Sequence, residues 1–542
     1  DAESCPETNS RKIRSAGPRH ARLRSVPEFF PSDGHIVTAR RKLNGTIKSF
    51  SIVTGFSVAT RLLSFLFKIW MSRTLGAEAV GLYQIAFSVL VLLFSFTAGA
   101  PTVLSRKVAE CAARGDVRRQ NALTTASLVI GFVSSAAMVV LFLALSGHLG
   151  GIFADERCVP IFLVMLPALV TSSLYAPLRS WFWGRKNFLA FSAMELVDEV
   201  LKIGFAMLFA GGFFAALTGA AGVALALVAS DAVCVLLLFL VFFRTGGRFA
   251  RPQGARELVS STLPLSAVRI LTSLSASLSA LIIPRQLVAG GLSAAVATAQ
   301  YGRVAGMALP LIMAPVTIVS ALSVVLIPDL AELAAADKYD EIRAKLRTAL
   351  LFAAIVASAF FAVYVPLGRE LGAFFFGDEE AGKLVSYAAV IIFPLALGSV
   401  TTPVLNSLGM EKCSFVGYVC GLVCSLPCIF FLPQYIGIYA AAVASGAGFA
   451  VTALVNFVFL AKRLGRFHGL ARPVGVCAFS VPLAVLGLFT ERLVAPHLGN
   501  VFVIIAVTVP VFGLFAVFVS VFGIVDIRGF FSMFLPSPRR RV

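Results

Sequence analysis

Long apolar runs separated by short polar segments dominate the pattern along the chain. A helix needs roughly 20 mostly apolar residues to cross a hydrocarbon core about 30 Å thick. Fourteen such runs lie near 49–70, 80–103, 122–146, 158–178, 188–211, 218–243, 258–283, 298–327, 346–367, 384–408, 414–432, 436–461, 474–493 and 500–524. The period-two alternation of a membrane β-barrel is absent. The pattern therefore predicts an all-α polytopic membrane protein with about fourteen transmembrane helices.

Composition narrows the class of protein further. Of the 542 residues, 58% are hydrophobic and 13% are charged, whereas a soluble domain has about 45–50% apolar and about 25% charged residues. Such a chain cannot solubilise its own surface, which argues against a soluble enzyme, a disordered regulator and a disulfide scaffold.

The net charge of +19 reports on topology and does not indicate nucleic-acid binding. Of the 46 Lys and Arg residues, 35 fall in segments on the side of the N-terminus, six fall in the opposite loops and five fall inside the apolar runs. Because cytoplasmic loops are enriched in Lys and Arg, both termini are expected in the cytoplasm. The first 48 residues contain no apolar run, so no signal peptide is expected.

An internal repeat divides the chain. TVLSRKVAECAARGD (102–116) and VVLIPDLAELAAADK (324–338) align at an offset of 222, and each opens a cytoplasmic loop after a long apolar run. A repeat of six spans gives two copies of the same orientation. We expect a basic tail at 1–48, an N-lobe at 49–249, a C-lobe at 250–466, and two added spans with a basic tail at 467–542. A cavity between the two lobes favours transport by alternating access.

Three segments carry a resemblance to a known family. RTLGAEAVGLYQ (73–84) with GAPTVLSRKVAE (99–110), LRSWFWGRKNF (178–188), and the stretch 281–332 beginning LIIPRQL resemble the stage V sporulation protein B family. This family belongs to the multidrug/oligosaccharidyl-lipid/polysaccharide (MOP) exporter superfamily. The resemblance implies a V-shaped two-lobed bundle in the bacterial plasma membrane that flips a polyprenyl-diphosphate-linked glycan, such as a peptidoglycan precursor for the cell wall or sporulation.

Four cations inside the runs are candidate ligands for that diphosphate. Arg61 and Lys68 lie two turns apart on the first span, Arg269 lies in the seventh span, and Arg303 enters the eighth. A charge at mid-membrane costs about 2.5–3.5 kcal/mol on insertion scales, and Arg forks suit phosphate oxygens. The alternative is that each cation snorkels or binds a helix-end carbonyl.

The fifth span carries the cluster MELVDEVLK. It contains Glu195, Asp198, Glu199 and Lys202, and a lone acid, Asp231, lies in the sixth span. Asp198 and Lys202 are four residues apart and can pair within one helix. Asp231 can pair with Lys202 or with Arg61 of the first span. The cluster is either a structural pair or an acid that binds a proton or Na⁺ during transport.

No enzymatic or metal motif accompanies these charges. The sequence has no HExxH, no Walker GxxxxGK[ST] and no GxSxG, so we expect no enzyme, no cofactor and no metal site, and any coupling must use Na⁺, H⁺ or the membrane potential. Related proteins carry an acid where this chain has Ser279, which argues against the alternative of a multidrug/cation antiporter. A non-transporting scaffold for sporulation or cell-wall proteins is the third interpretation. The expected partners are the lipid-linked glycan and membrane lipid, with cell-wall synthesis proteins as further candidates, a monomeric transporter and no nucleic acid.

Overall fold

The computed structural model describes residues 33–96, 100–212, 218–465 and 471–522. These residues form helices and connecting turns, with no strand among them. Helices are expected because hydrocarbon offers no partner for backbone N–H and C=O groups, which must therefore bond within each segment. The all-α polytopic fold predicted from the sequence is confirmed.

Seven helices precede residue 250. They are α1 Asp33–Ser95, α2 Ala100–Ala113, α3 Val117–Ala144, α4 Cys158–Met165, α5 Ala168–Gly184, α6 Phe188–Ala210 and α7 Gly219–Arg244. A 3₁₀ turn at Ser146–Gly151 follows α3. The side chains of Asp116 and Asn187 cap α3 and α6 by accepting hydrogen bonds from backbone N–H groups, as expected for N-cap residues.

Twelve further helices follow. They are α8 Ala255–Ala289, α9 Ala294–Gly302, α10 Leu309–Met313, α11 Val316–Ala335, α12 Tyr339–Phe376, α13 Glu379–Ala388, α14 Ile392–Ser407, α15 Glu411–Phe431, α16 Pro433–Ile436, α17 Tyr439–Leu464, α18 Ala471–Val494 and α19 Asn500–Val521. A π-helical segment at Arg303–Ala308 joins α9 to α10, and a 3₁₀ turn at Ala389–Ile391 joins α13 to α14.

Eleven helices in the described part are long and apolar enough to cross a membrane, or twelve if the bent pair Ala294–Met313 and Val316–Ser323 is one span. Two features explain the difference between this number and the fourteen spans predicted. Gly76 has a φ of 78° and divides α1 into two helices, and α6 occupies the predicted fifth span but carries four charged residues. A helix lies at every predicted span, and the count of fourteen is consistent with the structure.

The helical bundle has two ends, which we call the basic face and the opposite face. The basic face carries the turns near 114–116, 185–187, 245–254, 336–338 and 408–410, and the opposite face carries Gly76 and the turns near 145–157, 290–293 and 377–378. α1 begins at Asp33, inside the segment predicted as a tail, whereas residues 1–32 and 523–542 of the predicted tails lie outside the described residues.

Packing within residues 52–542 follows the repeat in part. α2 packs on α3 and α5, and α6 packs on α7, while in the second half α11 packs on α14 and α15 on α17. Pro177 and Pro403 both lie inside helices, α5 and α14 respectively. α18 and α19 pack on α12, which places the two added spans against the second half of the chain.

The first turn of α8 is attached to the N-lobe at the basic face. Lys107 Nζ lies 2.5 Å from Glu257 Oε1, and Arg119 lies 3.7 Å from the other carboxylate oxygen. The hydrogen bond from Lys107 and its charge hold the pKa of Glu257 below its ordinary value. The same hydrogen bond raises the pKa of Lys107, so the pair joins the two halves of the chain electrostatically.

Candidate functional site

A polar stripe runs along α1. Ser57, Thr60, Arg61, Ser64 and Lys68 recur at intervals of one, three or four residues, so they lie along one side of the helix. This side faces the charged part of α6, because the Ser64 hydroxyl donates a 2.7 Å hydrogen bond to Glu199 Oε1. The sequence prediction that Arg61 and Lys68 share a face agrees with this arrangement.

Glu199 is the centre of the contacts between α1 and α6. Its side chain is buried, its second oxygen lies 2.5 Å from Lys202 Nζ, and its charge also attracts Lys68. The sequence spacing allows Lys202 to pair with Asp198, four residues away. In the structure the ion pair of Lys202 is with the i,i+3 residue Glu199, and the same lysine also attracts Asp198.

Asp198 has no direct ion pair, but it lies within electrostatic reach of Lys202 and in hydrogen-bond contact with the side chains of Ser230 and Cys234. Its Oδ1 atom is buried and has no hydrogen-bond partner in the described part of the chain. Asp231 on α7 accepts a 3.3 Å hydrogen bond from the Thr171 hydroxyl, so its hydrogen-bond partner is neither of the cations proposed from the sequence. The two aspartates therefore differ from Glu199, which has a cation directly on its carboxylate.

Helix α5 supplies a cation that lies just beyond the predicted fourth span at 158–178. Arg179 lies in the last turns of α5, and its guanidinium is 2.7 Å from Glu195 Oε1. The same guanidinium stacks over the ring of Phe191 at 4.4 Å from its centroid. Polar residues recur every four positions along α5, at Thr171, Tyr175 and Arg179. This spacing in the sequence indicates that one side of α5 is polar.

These helices line an open cavity of about 440 Å³ in the N-lobe. Its walls are lined by Val53, Ser57, Thr60 and Arg61 of α1, Tyr175, Arg179 and Trp183 of α5, and Phe191, Glu195, Asp198 and Glu199 of α6. Arg61 is exposed and has no hydrogen bond or ion pair to another described residue, whereas Arg179 pairs with Glu195. Arg61 therefore presents a free guanidinium to the cavity.

Arg269 is the matching free cation on the second half of the chain. Its side chain is exposed and, within the described ranges, has no partner, although its carbonyl accepts bonds from Thr272 and Ser273. At a rise of 1.5 Å per residue, Arg269 lies about 30 Å from the end of α8 at Ala289, and Arg61 lies about 22 Å from Gly76. Both cations thus lie in the half of the bundle nearer the basic face, but Arg269 is not part of the N-lobe cavity wall.

Arg303 has a different environment from the other three candidate cations. Its Nε atom donates a 2.8 Å hydrogen bond to Asp378, whose other oxygen caps α13 through the N–H of Ala381. The pair lies at the opposite face, where α12 ends. Arg303 is therefore neutralised inside the C-lobe and does not join Arg61 on the N-lobe cavity.

The N-lobe and the C-lobe meet at the opposite face. The Ser72 hydroxyl donates a 2.9 Å hydrogen bond to the carbonyl of Phe376, and Arg73 donates to the carbonyls of Phe374 and Phe375. These carbonyls end α12, where a cation is favoured by the helix dipole. We call Ser72, Arg73 and these three carbonyls the α12 cap.

A close helix crossing reinforces the α12 cap. A Cβ atom on Gly302 would collide with the Ala77 carbonyl and lie 2.6 Å from the N atom of Gly81. The Asp155 carboxylate accepts a 3.3 Å hydrogen bond from Thr298 across the same junction. The backbones of α1 and α9 therefore touch at the opposite face, and the glycines permit this approach.

No group of three or more His, Cys, Asp or Glu residues that could hold a metal ion occurs in the part of the chain that the structure describes. Glu195 and Glu199 instead pair with cations, and Asp231 accepts a hydrogen bond from a hydroxyl group. The site therefore consists of a charged, partly aromatic cavity in one lobe and a free arginine on the other.

A helical bundle of two connected halves, with ionisable residues facing a cavity, defines a multi-pass membrane protein with a transporter fold. Solved structures agree: the lipid II flippase MurJ in an inward closed conformation aligns with a TM-score of 0.68 at 12% identity, covering 86% of this chain and 98% of that one. An inward-facing multidrug resistance MATE family transporter of the MOP superfamily aligns with a TM-score of 0.62 at 15% identity, covering 75% and 94%.

Sequence relatives give the family. The profile of the polysaccharide biosynthesis protein family matches residues 46–334, and the chain belongs to that family. Stage V sporulation protein B of Bacillus subtilis (strain 168) is 24% identical over 434 residues, covering 77% of this chain and 84% of that protein. Sporulation protein YkvU of the same organism is 21% identical over 324 residues, covering 57% and 70%. The chain is therefore a polysaccharide biosynthesis family member that is similar to stage V sporulation protein B and shares its fold with the aligned flippase and MATE transporter.

Proposed function

We propose that this protein flips a polyprenyl-diphosphate-linked glycan across the bacterial plasma membrane, with the basic face in the cytoplasm. One observation carries the proposal: Arg61 and Arg269 are exposed cations without described partners, whereas Arg179, Lys202 and Arg303 are each paired with a carboxylate. A free guanidinium at membrane depth is costly. A diphosphate would supply the missing partner through charge-assisted hydrogen bonds.

The outer surface of α1 suits the lipid part of such a substrate. Val58, Leu62 and Leu66 recur every four residues and are 49–60% exposed. This apolar stripe and the polar stripe that contains Arg61 occupy different sides of one helix. A substrate that binds Arg61 through phosphate can therefore keep its prenyl chain in the bilayer along α1, while its glycan avoids hydrocarbon.

The acids of α6 supply a means of coupling. Asp198 has a buried oxygen without a described partner, and it lies on the cavity wall with Arg61. We assign to Asp198 the binding of a proton or Na⁺ during the transport cycle, with Glu199 and Lys202 as the structural pair that holds α6 in place. In this scheme Arg61 binds the negatively charged diphosphate, and Asp198 binds the coupling ion on the wall of the same cavity.

The test is flipping of a labelled polyprenyl-diphosphate glycan in proteoliposomes. Arg61→Ala and Arg269→Ala should each slow flipping at least tenfold, because a lost hydrogen bond to a charged group costs about 1.5–3 kcal/mol and about 1.4 kcal/mol is a factor of ten. Arg61→Lys should retain part of the rate. Arg285→Ala is the matched control, since Arg285 is an exposed cation on α8 at the opposite-face end.

Unchanged flipping in both alanine variants would refute the diphosphate assignment. A multidrug/cation antiporter is the second candidate, and the Asp198 carboxylate on the cavity wall, with one oxygen that has no described hydrogen-bond partner, favours it. In the same liposomes an antiporter would exchange an organic cation for H⁺ or Na⁺ in a manner that Asp198→Asn abolishes. Organic-cation exchange without glycan-lipid flipping would replace the flippase proposal.

A further inference from the structure

The linker between α7 and α8, residues 245–254, lies on a lipid-facing side of the bundle. On α7, Leu236, Leu240 and Phe243 are 47–69% exposed, and their spacing places them on one side of the helix. Exposed apolar side chains on a spanning helix face lipid tails, which are as apolar as leucine. The ring of Phe249 in the linker packs against that of Phe243, with centroids 5.2 Å apart. The linker therefore folds onto the side of α7 that faces lipid.

The linker also reaches the depth of the membrane interface. The backbone N–H of Ala250 donates a 3.2 Å hydrogen bond to the hydroxyl group of Thr125 on α3. Thr125 is eight residues from the start of α3, which is about 12 Å along the helix axis, and it lies inside a predicted apolar run. The Phe249 ring also lies 6.0 Å from that of Phe239, five residues before the end of α7. The linker therefore folds back toward the bilayer instead of extending away from it.

Three arginines at this position have no protein partner. Arg244 ends α7, Arg248 and Arg251 lie in the linker, and all three are exposed without a hydrogen bond or ion pair to another described residue. We call them the linker arginines. Other cations of the basic face are engaged, since Lys107 is held in an ion pair and Arg185 lies over an aromatic ring. The linker arginines therefore combine full charge with unused hydrogen-bond donors.

The fold holds the linker in place. The N–H of Gly247 donates a 2.9 Å hydrogen bond to the carbonyl of Phe242, and a Cβ atom on Gly247 would collide with the Phe242 ring. Arg185 donates a 3.3 Å hydrogen bond to the carbonyl of Thr245. With the further bond at Ala250, the backbone that carries the linker arginines is fixed at several points, which reduces the entropy lost when they bind a ligand.

Phospholipid headgroups have the chemistry and the position that these arginines require. A polar headgroup region of about 5–8 Å borders the hydrocarbon core on each side, and the linker lies at this depth. Guanidinium groups bind phosphate oxygens through charge-assisted hydrogen bonds, basic clusters beside a spanning helix attract anionic lipids, and aromatic rings suit the same interface. We propose that the linker arginines and Phe249 form a docking surface for anionic phospholipid in the leaflet at the basic face, with the arginines on the phosphates and Phe249 beside the acyl chains.

This docking surface lies on the segment that joins the two halves of the chain. The linker follows α7 of the N-lobe and precedes α8, whose first turn is attached to the N-lobe through Lys107 and Glu257. Lipid bound along the linker restrains the start of α8 a second time, from the membrane side. The proposal does not depend on which molecule is transported, because none of the cavity residues takes part in it.

The experiment titrates the full chain in detergent with dioleoyl-phosphatidylglycerol or with dioleoyl-phosphatidylcholine and counts bound lipid by native mass spectrometry. The wild type should bind the anionic lipid more tightly than the zwitterionic one. Arg248→Gln/Arg251→Gln should weaken phosphatidylglycerol binding by about tenfold or more, because each arginine near an anionic surface contributes about fivefold. Arg114→Gln/Arg118→Gln is the matched control, since both arginines are exposed on the same face and have no ion pair in the described part of the chain.

A spin label at the exposed Gln253 gives a second measurement on the chain in nanodiscs. Its mobility should be lower in nanodiscs of mixed phosphatidylcholine and phosphatidylglycerol than in nanodiscs of phosphatidylcholine alone. Phe249→Ala should remove this difference, because the linker then loses its contact with the lipid-facing side of α7. Melting temperatures report whether each variant is folded, and the comparison of the two nanodiscs with wild-type side chains at 248, 249 and 251 needs none of these substitutions.

The outcomes are distinct. Binding that weakens in the linker variant but not in the control, together with a label that phosphatidylglycerol immobilises, supports the docking surface. Equal affinity of the wild type for the two lipids overturns it. A loss of equal size in the linker variant and the control also overturns it, because total charge and not the linker would then determine binding. Equal label mobility in the two nanodiscs contradicts the proposed position of the linker.

Discussion

The α12 cap should control how readily the two lobes separate at the opposite face. The perturbation is the double variant Ser72→Ala/Arg73→Ala, which removes the donors to the carbonyls of Phe374, Phe375 and Phe376. These contacts join the two lobes, so their loss destabilises only states in which the lobes touch there. An alternating-access transporter must leave such a state during its cycle.

The magnitude follows from burial. Ser72 is 3% exposed, so deleting its hydroxyl group leaves a carbonyl poorly satisfied, at a cost of about 1–3 kcal/mol. Arg73 is exposed, and solvent screening reduces its contribution to about 1 kcal/mol. A total of about 2–4 kcal/mol would shift the closed-to-open ratio by roughly 30-fold to 800-fold, since about 1.4 kcal/mol is a factor of ten.

The assay is a distance measurement between two spin labels by pulsed electron–electron double resonance. Spin labels on unnatural amino acids at Ile152 and Lys383 avoid the native cysteines and report from the opposite face on the separation between the lobes. The double variant should show a longer distance component that is minor in the wild type. Arg369→Ala is the matched control, because Arg369 pairs with Glu379 within the C-lobe.

Identical distance distributions for wild type, control and double variant would show that the α12 cap does not hold the lobes together. A longer component that also appears in Arg369→Ala would show that loss of positive charge, and not loss of the cap, is responsible.

Three further predictions concern packing and charge. Gly302→Ala should lower the melting temperature, because the added Cβ disrupts the crossing of α1 and α9. Gly398→Ala is the control and should be neutral or stabilising, because its Cβ position faces open space. Equal melting temperatures for the two variants would contradict the close crossing. Glu199→Gln should destabilise the protein by about 3–5 kcal/mol because Lys202 loses its buried partner, and Glu199→Gln/Lys202→Met should recover much of this in thermal unfolding; no recovery would argue against the pair. Because folding lowers the pKa of Glu257, its stabilising contribution is present above its unfolded-state pKa and is lost as the pH falls through the folded-state pKa. A spin label on the linker before α8 should therefore become more mobile in acid. A pH profile of mobility identical to that of the Glu257→Gln variant would refute this prediction.

Much of the fold could be predicted from the sequence because membrane helices are specified locally. A helix is found at each apolar run of about 20 residues, since hydrocarbon leaves the backbone few alternatives. The sequence led us to expect a cavity between the lobes, whereas the cavity around Arg61 lies within the N-lobe. Arg61, Lys68 and the acids of α6 were identifiable because ionisable residues stand out within an apolar run.

The pairing of those charges was less predictable. Spacing allowed Lys202 to bind either Asp198 or Glu199, and only the positions of α1 and α6 together made Glu199 the centre, through Ser64. Arg179 follows directly after the apolar run that ends at 178, but α5 continues to Gly184 and brings Arg179 to Glu195.

The sequence by itself determined the helices, the balance of charge between the two sides and the set of costly residues inside the runs. Tertiary structure alone decided which cations remain free. Arg303 meets Asp378 across 75 residues, and Arg73 meets the end of α12 across 301 and 302 residues. An ion pair or a helix cap depends on distances of a few ångströms, whereas hydrophobic periodicity fixes only which side of a helix a residue occupies.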